Sequence, residues 1–532
     1  MAPTSRDLSS EDASLLGSRT AKVATSIFTS KMIIFLVIGL SFVFVARILG
    51  PTTYGVYTLA IATAGFFGAV GDLGIGTMMV KRISEYIAKK QTDKIKQLLV
   101  NGFAIVIIES AIFTIIAFLL SNYVAVNVLH NPGDTLALQL VSIDIILGTV
   151  WSVAYSSLIA FGKGRQIALI VAIQSLIQAG LSIILAIILT PLGFGAIAPI
   201  IGLLASFAVS LLYAVHCLRK DAGMKSEKIK IDVKQWRGIL EFSIPIGASA
   251  TFPGLISNYS LIFLGSVSTA LIVGNFGAAY RAINVFDVIL GSIGFALLPM
   301  FSSVLSSKRI TKEVSKYFNY SVYFSCLIAA PIILYIVMLS TQLSYTVFSG
   351  NYVMTPLYLS IMAIGVALIT FWNYASNLLI GAGKVRKVFW YSFIGALVQF
   401  VLLFVLVKPL NGLGLTLTMF IIMPLTICLL YVREITKFFK MRIEFRSFFK
   451  VFICSIFSAL FIIPLTAFFG SNTIPLLIAA VIEQMLIYPI VLGLSGTIDK
   501  ERLEIIDKVV KELPLVGVLM KKLTAYTGFF LR

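Results

Sequence analysis

Three polar side chains interrupt one long apolar stretch of the sequence at a helical spacing. Arg281, Asn284 and Asp287 follow one another at intervals of three residues, and residues three or four apart lie on one face of a helix. Polar and ionisable side chains inside a membrane segment are costly, so they usually face a water-filled cavity or a partner. We therefore interpret this ridge as part of the lining of a substrate pathway.

Two oppositely charged residues lie at matching distances from Pro51. Lys31 lies 20 residues before it and Asp72 lies 21 residues after it, so a helical hairpin that turns at Pro51 would bring both to nearly the same depth. A structural ion pair and a substrate site both fit this pattern. Arg47 lies near the outer end of its segment, where its long side chain either lines the cavity or extends to interfacial water.

Two carboxyl groups, Glu109 and Asp144, lie deeper in the apolar segments of the first half of the chain. A buried carboxyl group either exchanges a proton or persists as a neutral, hydrogen-bonded group. Both roles stay open here, namely coupling of transport to an ion gradient or a structural role.

Residue patterns typical of catalysis are missing from the sequence. His130 and His216 have no acid, base or metal-ligand partner at a suitable spacing, and the four cysteines follow neither a metal-binding nor a disulfide pattern. No phosphate-binding loop of the Walker type is present. We therefore expect a protein that is not an enzyme and that has no cofactor and no metal site.

The composition places these residues in a membrane protein. Apolar residues make up 59% of the 532 positions and charged residues 12%, whereas soluble domains have about 45–50% and about 25%. A helix needs about 20 apolar residues to cross roughly 30 Å of hydrocarbon. The segments that meet this requirement lie near 23–49, 54–79, 98–121, 135–161, 167–189, 193–218, 238–265, 271–304, 320–340, 354–380, 389–407, 412–432, 451–469 and 474–497. We therefore predict an all-α membrane protein with about fourteen transmembrane helices.

The basic residues predict the orientation of these helices. Of the 42 lysine and arginine residues, 38 fall on one set of alternate loops and tails, and Lys408 alone falls on the other set. Because lysine and arginine are retained on the cytoplasmic side, we predict that both termini are cytoplasmic in a multi-pass protein of the cell membrane. The net charge of +19 then indicates contact with anionic lipid headgroups and no nucleic-acid binding.

An internal repeat organises the spans into two groups. YSSLIAFGKGRQIALI from Tyr155 resembles YASNLLIGAGKVRKVF from Tyr374, and PLGFG from Pro191 resembles PLNGLG from Pro409. Because six spans separate the copies, we expect two like-oriented six-helix lobes related by an axis along the membrane normal, with a substrate cleft where they meet. The predicted divisions are a cytoplasmic segment at 1–22, the first lobe at 23–218, a basic linker at 219–237, the second lobe at 238–433, two further helices with their preceding basic loop at 434–497, and an amphipathic cytoplasmic tail at 498–532.

Several short motifs follow in an order and at separations that are specific to one family. They read Ala46-Arg47-Ile-Leu-Gly-Pro-Thr-Thr-Tyr-Gly-Val-Tyr57, Gly71-Asp72-Leu-Gly-Ile-Gly-Thr77, Phe242-Ser-Ile-Pro245, Val273-Gly-Asn-Phe-Gly-Ala-Ala-Tyr-Arg281 and Ala296-Leu-Leu-Pro299. The chain resembles the polysaccharide and lipid-linked oligosaccharide flippases of the multidrug/oligosaccharidyl-lipid/polysaccharide export superfamily. The resemblance implies two six-helix bundles in a V around a cationic cavity. It also implies movement of a polyprenyl-phosphate- or pyrophosphate-linked glycan from the cytoplasmic to the outer leaflet by alternating access.

The resemblance also implies a role for the cavity cations, since Arg281, Lys31 and Arg47 would offset the cost of removing a phosphate from water. The relative that flips the peptidoglycan precursor has several arginines in its first-lobe cavity, whereas this sequence has only Lys31 and Arg47 there. The expected partners are the lipid-linked glycan, membrane lipids and glycan-assembly enzymes, and the expected state is a monomer.

Two other functions would require sequence features that differ from those of a flippase. A cation-coupled multidrug exporter of the same superfamily would need an acidic cavity. A membrane glycosyltransferase or ligase would need catalytic carboxylates or a large external loop, and the sequence has neither.

Overall fold

The computed structural model of the chain describes residues 10–71, 73–223, 231–284, 312–470 and 472–498. Within these ranges it describes side chains from Val37 onward, except at 245, 246, 248–253, 312, 313 and 317. All elements in these ranges are helical. The chain divides into two compact units, Met1–Gly274 and Asn275–Arg532. The fold class predicted from the sequence, an all-helical membrane protein, therefore agrees with the structure.

The described part of the first unit contains seven helices and the beginning of an eighth. They are α1 (Ser10–Gly71), α2 (Ile75–Ala88), α3 (Thr92–Tyr123), α4 (Thr135–Ala160), α5 (Gly164–Leu189), α6 (Ile197–Asp221), α7 (Val233–Val267) and α8, of which 270–284 are described. Helix α1 packs against α4, α5 and α7, and α6 packs against α4 and α5.

The second unit contains the remainder of α8 and nine further helices in its described part. They are α9 (Lys312–Met338), α10 (Ser340–Phe348), α11 (Thr355–Gly381), α12 (Val385–Leu402), α13 (Lys408–Leu417), α14 (Met423–Phe439), α15 (Phe445–Ala459), α16 (Ile462–Phe469) and α17 (Thr473–Leu494). Its largest core lies among α9, α11, α14 and α15, around Phe318, Tyr374, Tyr431 and Val451.

Ten helical stretches of the described residues are long and apolar enough to cross a membrane. The sequence predicted fourteen, and part of the difference comes from two stretches that each contain a break. Val37–Gly71 and Val385–Phe439 each count once among the ten, although their backbones break at Gly50 and Asn411 and each covers parts of two predicted spans. The predicted span at 271–304 extends beyond the described residues. The multi-pass membrane character is thus confirmed, and the number fourteen stays a prediction.

A sharp bend divides α1 at Gly50, which has φ 71° and ψ 168° and precedes Pro51. A positive φ is accessible to glycine at no steric cost, and proline at the next position cannot donate a backbone hydrogen bond to the preceding turn. The motif glycine and proline therefore let one chain segment turn between two helices without a separate loop. Tyr54 and Tyr57 are buried just after the bend.

The two sequence repeats adopt corresponding local conformations. Gly162 and Gly383 end the helices before the basic loops, with φ 70° and 74°, and Gly193 and Asn411 have φ 83° and 51° in the next connection. Because only residues that tolerate a positive φ fit these positions, the repeated glycines have a local structural reason. The symmetry axis and the lobe boundaries stay predictions.

The beginning of α7 is attached to α3 by one buried asparagine. The side-chain oxygen of Asn101, which is fully buried, accepts hydrogen bonds from the backbone N–H of Asp232 at 2.9 Å and from the indole N–H of Trp236 at 3.2 Å. Lys81 and Arg82 of α2 each lie 4.8 Å from the centre of the Phe242 ring on α7. These contacts hold the start of α7 within the first unit.

We expect Asn101→Ala to lower the thermal stability of the protein. The change removes the acceptor for two buried donors, and an unsatisfied buried donor costs roughly 1–3 kcal/mol. Thermal unfolding in detergent, followed by size-exclusion chromatography, should show a melting temperature several degrees lower. Asn122→Ala is the matched control, because Asn122 lies at the other end of α3 and is exposed. Equal melting temperatures for the two variants would contradict this role.

Candidate functional site

Three of the residues predicted to form the site cannot be located in the structure. Asp72 and Asp287 lie outside the described residues. Lys31 lies in the helical backbone of α1, but its side chain is outside the part of the chain described at that level. The alternatives for Lys31 and Asp72, an ion pair or a substrate site, therefore both stay open.

Arg47 lies on the last turn of α1 before the bend at Gly50, and its side chain is exposed from the protein. Its neighbours Ala46 and Leu49 are buried. The guanidinium thus lies on the open side of a well-packed segment, where it can reach interfacial water or an anionic ligand.

The second half of α1 runs antiparallel to α7, and small residues hold its backbone close to α7 and to the start of α8. A methyl group added at Gly55 would overlap the carbonyl oxygen of Ala270, and one added at Gly274 would overlap the carbonyl oxygen of Pro51. The two glycine Cα atoms thus approach carbonyl oxygens reciprocally, and such Cα–H···O contacts contribute roughly 0.5–1 kcal/mol each.

Further along α1, the helix that it approaches closely is α7. A methyl group added at Gly265 would meet the Leu59 side chain. One added at Gly65 would lie 2.8 Å from the Asn258 amide. Just beyond α1, one at Gly74 would meet the backbone of α7 at Ser243, 2.6 Å away. Both motifs that mark the ends of this contact, around Gly55 and around Gly74, are therefore required by helix packing as well as by any transport function.

Glu109 lies beside the end of α1. Its Oε1 atom is 2.9 Å from the position that a Cβ at Gly71 would occupy, and Phe113 lies against the same glycine. Only a residue without a side chain leaves space for this carboxyl group next to the α1 backbone. The Glu109 carboxyl group therefore lies next to Gly71, the residue that precedes Asp72.

Asp144 lies on the face of α4 that meets α6. Its Oδ1 atom is buried and has no hydrogen-bond partner in the described part of the chain. It lies 3.5 Å from the position of a Cβ at Gly148, where Phe207 of α6 also approaches. The indole N–H of Trp151, two turns further along α4, is also buried and has no hydrogen-bond partner in the described part of the chain.

Asn275 fixes the position of α8 against α11 within the second unit. Its side-chain oxygen accepts hydrogen bonds from the backbone N–H groups of Met354 and Thr355 at 3.0 and 3.1 Å, and from the Thr355 hydroxyl at 3.0 Å. These N–H groups belong to the start of α11, where a helix has no internal acceptors. Asn275, fully buried, therefore caps α11 from another helix.

Arg281 and Asn284 lie on α8 beyond this anchor, and both side chains are half-buried. The aromatic rings of Phe276 and Tyr280 stack at 6.0 Å, and Phe276 also contacts Tyr358 of α11. With roughly 100° per residue, Arg281 lies about 140° around α8 from Phe276. The arginine therefore lies away from the aromatic face that anchors α8, on the helix face that also carries Gly274.

A charged cluster lies between α12 and α14 and was not predicted from the sequence. Lys387 forms a short ion pair with Glu434, the Tyr391 hydroxyl donates to the same carboxylate at 2.9 Å, and Lys384 lies 3.8 Å from it. Lys384 also lies 3.3 Å from the centre of the Phe438 ring. In the first unit, Lys163 after the corresponding glycine lies 3.5 Å from Asp221 at the end of α6. The two clusters share a sequence pattern. A lysine follows a repeated glycine, and an acidic residue lies near the end of the second span after that glycine. This pattern could have predicted both ion pairs.

The described residues contain no cluster of three or more histidine, cysteine or acidic side chains that would hold a metal ion. A cavity of about 660 Å³ lies in the second unit, and its lining is almost entirely apolar, from Phe457, Leu460, Phe461, Pro464, Val491, Leu494 and Ser495. Such a lining suits hydrocarbon and not a sugar or a phosphate.

The family model described as "Polysaccharide biosynthesis protein" matches residues 20–305, more than half of the chain. The chain belongs to this family. A putative O-antigen transporter of Shigella flexneri is 24% identical over 320 residues, which cover 58% of this chain and 72% of that protein. The resemblance to polysaccharide flippases seen in the motifs is thereby confirmed.

Solved structures share the fold of this chain. Lipid II flippase MurJ in an inward closed conformation superposes with a TM-score of 0.69 at 15% identity, covering 88% of this chain and 97% of that one. An inward-facing multidrug resistance MATE family transporter of the MOP superfamily gives 0.62 at 16% identity, covering 78% and 99%. These relatives are transporters and flippases by name, which agrees with the prediction that the chain is not an enzyme.

In this family member, we expect Asn275→Ala to reduce the amount of folded protein sharply. The change leaves two backbone N–H groups and one hydroxyl of α11 without their acceptor, and each buried unsatisfied group costs roughly 1–3 kcal/mol. Fluorescence-detected size-exclusion chromatography of detergent extracts measures the folded fraction. Asn351→Ala is the control, because Asn351 is exposed in the loop just before α11. A monodisperse peak of normal height and normal melting temperature for Asn275→Ala would contradict the capping role.

Proposed function

We propose that this protein moves a polyprenyl-phosphate- or pyrophosphate-linked oligosaccharide from the inner to the outer leaflet by alternating access. The family match and the likeness to transporter folds support this class of function. The observation that carries the proposal is Arg281, a half-buried cation on a helix that Asn275 fixes firmly in the second unit.

The chemistry of the substrate gives Arg281 its role. A phosphate-linked glycan must lose part of its hydration to cross the membrane, and this loss is costly unless a cation compensates for it. Guanidinium binds phosphate through two parallel hydrogen bonds, which makes the interaction both strong and oriented. Arg281 would bind the phosphate, and Asn284, one turn further on α8, would bind sugar hydroxyls or phosphate oxygens.

Arg47 and Lys31 extend the same proposal to the first unit. An exposed guanidinium next to the bend at Gly50 suits capture of an anionic headgroup, and Lys31 would supply a second cation along α1. Asp287 would balance the charge of Arg281 when no substrate is bound. The cleft between two six-helix lobes stays part of the proposal.

We expect Arg281→Ala to abolish surface glycan while the protein stays in the membrane at normal levels. Loss of the guanidinium removes the cation that compensates for phosphate desolvation, so lipid-linked glycan should accumulate on the cytoplasmic side. Glycan blotting of whole cells and extraction of lipid-linked intermediates measure the two pools.

Arg237→Ala is the matched control for this experiment, because Arg237 is exposed at the start of α7 and pairs with Glu241. Arg281→Lys should retain part of the activity, since the charge remains but the two-point contact is lost. Normal surface glycan in cells that carry Arg281→Ala would refute the role proposed for Arg281.

A cation-coupled multidrug exporter is the second candidate, and the likeness to the MATE transporter favours it. Binding of cationic drugs needs acidic side chains in the pathway, whereas the residues proposed for it here are chiefly basic. Overexpression that raises drug resistance, combined with unchanged lipid-linked glycan after deletion, would favour the exporter over the flippase.

We further propose that Asp144 exchanges a proton during the transport cycle. Its Oδ1 atom is buried and has no hydrogen-bond partner among the described residues, so a proton can be exchanged there only when water or another polar group reaches the site. In proteoliposomes, Asp144→Asn should lose the stimulation of flipping by a proton gradient, while Glu241→Gln, exposed on α7, should retain it. Unchanged stimulation in Asp144→Asn would leave Asp144 with a structural role.

The remaining assignments belong to the same proposal. The protein would lie in the cell membrane with both termini cytoplasmic, would act as a monomer, and would receive its substrate from glycan-assembly enzymes. Glu109 and Asp72 would stabilise the end of α1 or take part in ion coupling.

A further inference from the structure

In each unit, the lysine after a repeated glycine pairs with an acidic residue, and in the second unit this carboxylate has several partners. Lys384 and Lys387 both pair with the Oε1 atom of Glu434. The Tyr391 hydroxyl donates a hydrogen bond to the Oε2 atom at 2.9 Å. Both carboxylate oxygens of Glu434 therefore have partners.

The corresponding carboxylate of the first unit is only half satisfied. Lys163 lies 3.5 Å from the Oδ1 atom of Asp221. The Asp221 side chain is 8% exposed, and its Oδ2 atom is buried and has no hydrogen-bond partner in the part of the chain that the structure describes. An ionised carboxylate only accepts hydrogen bonds, and buried polar atoms are normally satisfied. The Oδ2 atom therefore needs a donor or a cation.

The side chains that satisfy the carboxylate in the second unit are replaced in the first. Gln166 lies three residues after the loop lysine, as Lys387 does in the second unit. Ile170 lies seven residues after it, as Tyr391 does. Isoleucine has no hydrogen-bonding group, and the Oε1 atom of Gln166 is itself buried and unpaired among the described residues. The first unit thus has a second unsatisfied acceptor where the second unit has an ammonium group.

The two unsatisfied oxygens belong to neighbouring helix ends. Ile170 of α5 lies in the same buried core as Cys217 and Leu218 of α6. Gln166 lies one turn before Ile170, and Asp221, the last residue of α6, lies one turn after Leu218. Because residues three or four apart lie on one face of a helix, both oxygens lie where the start of α5 meets the end of α6.

We propose that a monovalent metal cation binds to the Oδ2 atom of Asp221 and the Oε1 atom of Gln166, in the role that the Lys387 ammonium has in the second unit. Carboxylate and amide oxygens are the ligands that hard cations prefer. The charges also agree. Two lysines face one carboxylate in the second unit, whereas one lysine faces one carboxylate in the first. A single added positive charge makes the two arrangements equal.

This site is separate from the residues proposed for transport. Asp144 lies on α4 roughly 25 Å before the end of that helix, and the loop of Lys163 begins only after that end. A cation at the site would attach the start of α5 to the end of α6, the last helix before the basic linker. The folded first unit would then be stabilised by the cation.

The test measures thermal unfolding of the purified full chain in choline chloride, sodium chloride and potassium chloride at equal ionic strength. Choline is too large to bind between two side-chain oxygens. We expect Na⁺ or K⁺ to raise the melting temperature of the native protein by several degrees and to saturate, since a ligand that binds only the folded state stabilises it. The salt that acts at the lower concentration identifies the ion that the site prefers.

Gln166→Lys is the decisive variant, because it supplies the ammonium that the second unit has at this position. Its melting temperature in choline chloride should reach that of the native protein in saturating Na⁺ or K⁺, and its response to either ion should disappear. Thr92→Lys is the matched control, because Thr92 is exposed at the start of α3 and a lysine there should leave the response unchanged.

Gln166→Leu removes one of the two oxygens and adds no charge. It should raise the ion concentration that gives half of the effect by at least several-fold. This variant keeps the test decisive if a lysine at position 166 impairs folding.

Two results would overturn the cation site. One is a native melting temperature that is equal in all three salts. The other is a response to Na⁺ or K⁺ that keeps its full size in Gln166→Lys or in Gln166→Leu, because the ion would then bind elsewhere. None of these measurements involves a glycan, so the surface glycan of cells with Arg281→Ala tests the proposed substrate separately.

Discussion

The structure depends on one constraint, which is that hydrocarbon offers no hydrogen bonds to the protein backbone. Each backbone N–H and C=O group in the membrane must find its partner within the protein, and helices achieve this locally. Departures from regular helix therefore occur where a specific residue compensates. Gly50 and Pro51 allow the bend in α1, and Asn275 supplies the acceptor that the start of α11 lacks.

The same constraint explains why small residues and single amides have so much influence. Helices that are apolar all around gain little from burying more apolar surface in lipid, so close backbone contact and a few polar bonds decide which helices pair. In the first unit, Gly65 and Gly265 bring α1 and α7 together, Gly55 brings α1 against the start of α8, and Asn101 attaches the start of α7 to α3.

Much of the fold followed from the sequence because its signals are local. Apolar length and the absence of catalytic patterns predicted an all-helical membrane protein, and the glycines of the repeat, Gly162 and Gly383, lie at corresponding positive-φ turns. The sequence divides Val385–Phe439 into two spans near Asn411. The structure agrees, because Asn411 has non-helical backbone angles and Lys387 near one end of this stretch pairs with Glu434 near the other end.

The site was less predictable because its parts are defined by contacts between distant residues. Arg281 stands out as a charge in an apolar segment, but the importance of Asn275 appears only when Thr355, 80 residues later, is placed beside it. Gly55 and Gly274 likewise resemble ordinary motif glycines until the opposing carbonyl groups are located. The acid that pairs with Lys387, Glu434, lies on another helix, and only comparison of the two repeats points to it.

We propose that Arg281 binds the phosphate of a lipid-linked glycan that this protein carries between leaflets. The most direct measurement reconstitutes the purified protein in liposomes with a fluorescent polyprenyl-pyrophosphate-linked oligosaccharide in both leaflets. A membrane-impermeant reagent then quenches or cleaves the molecules that reach the outside. If Arg281 is the phosphate ligand, all of the fluorescent lipid should react with the native protein. With Arg281→Ala, only the half that started in the outer leaflet should react. Equal extents of reaction for the two proteins, or no transfer by the native protein, would contradict it.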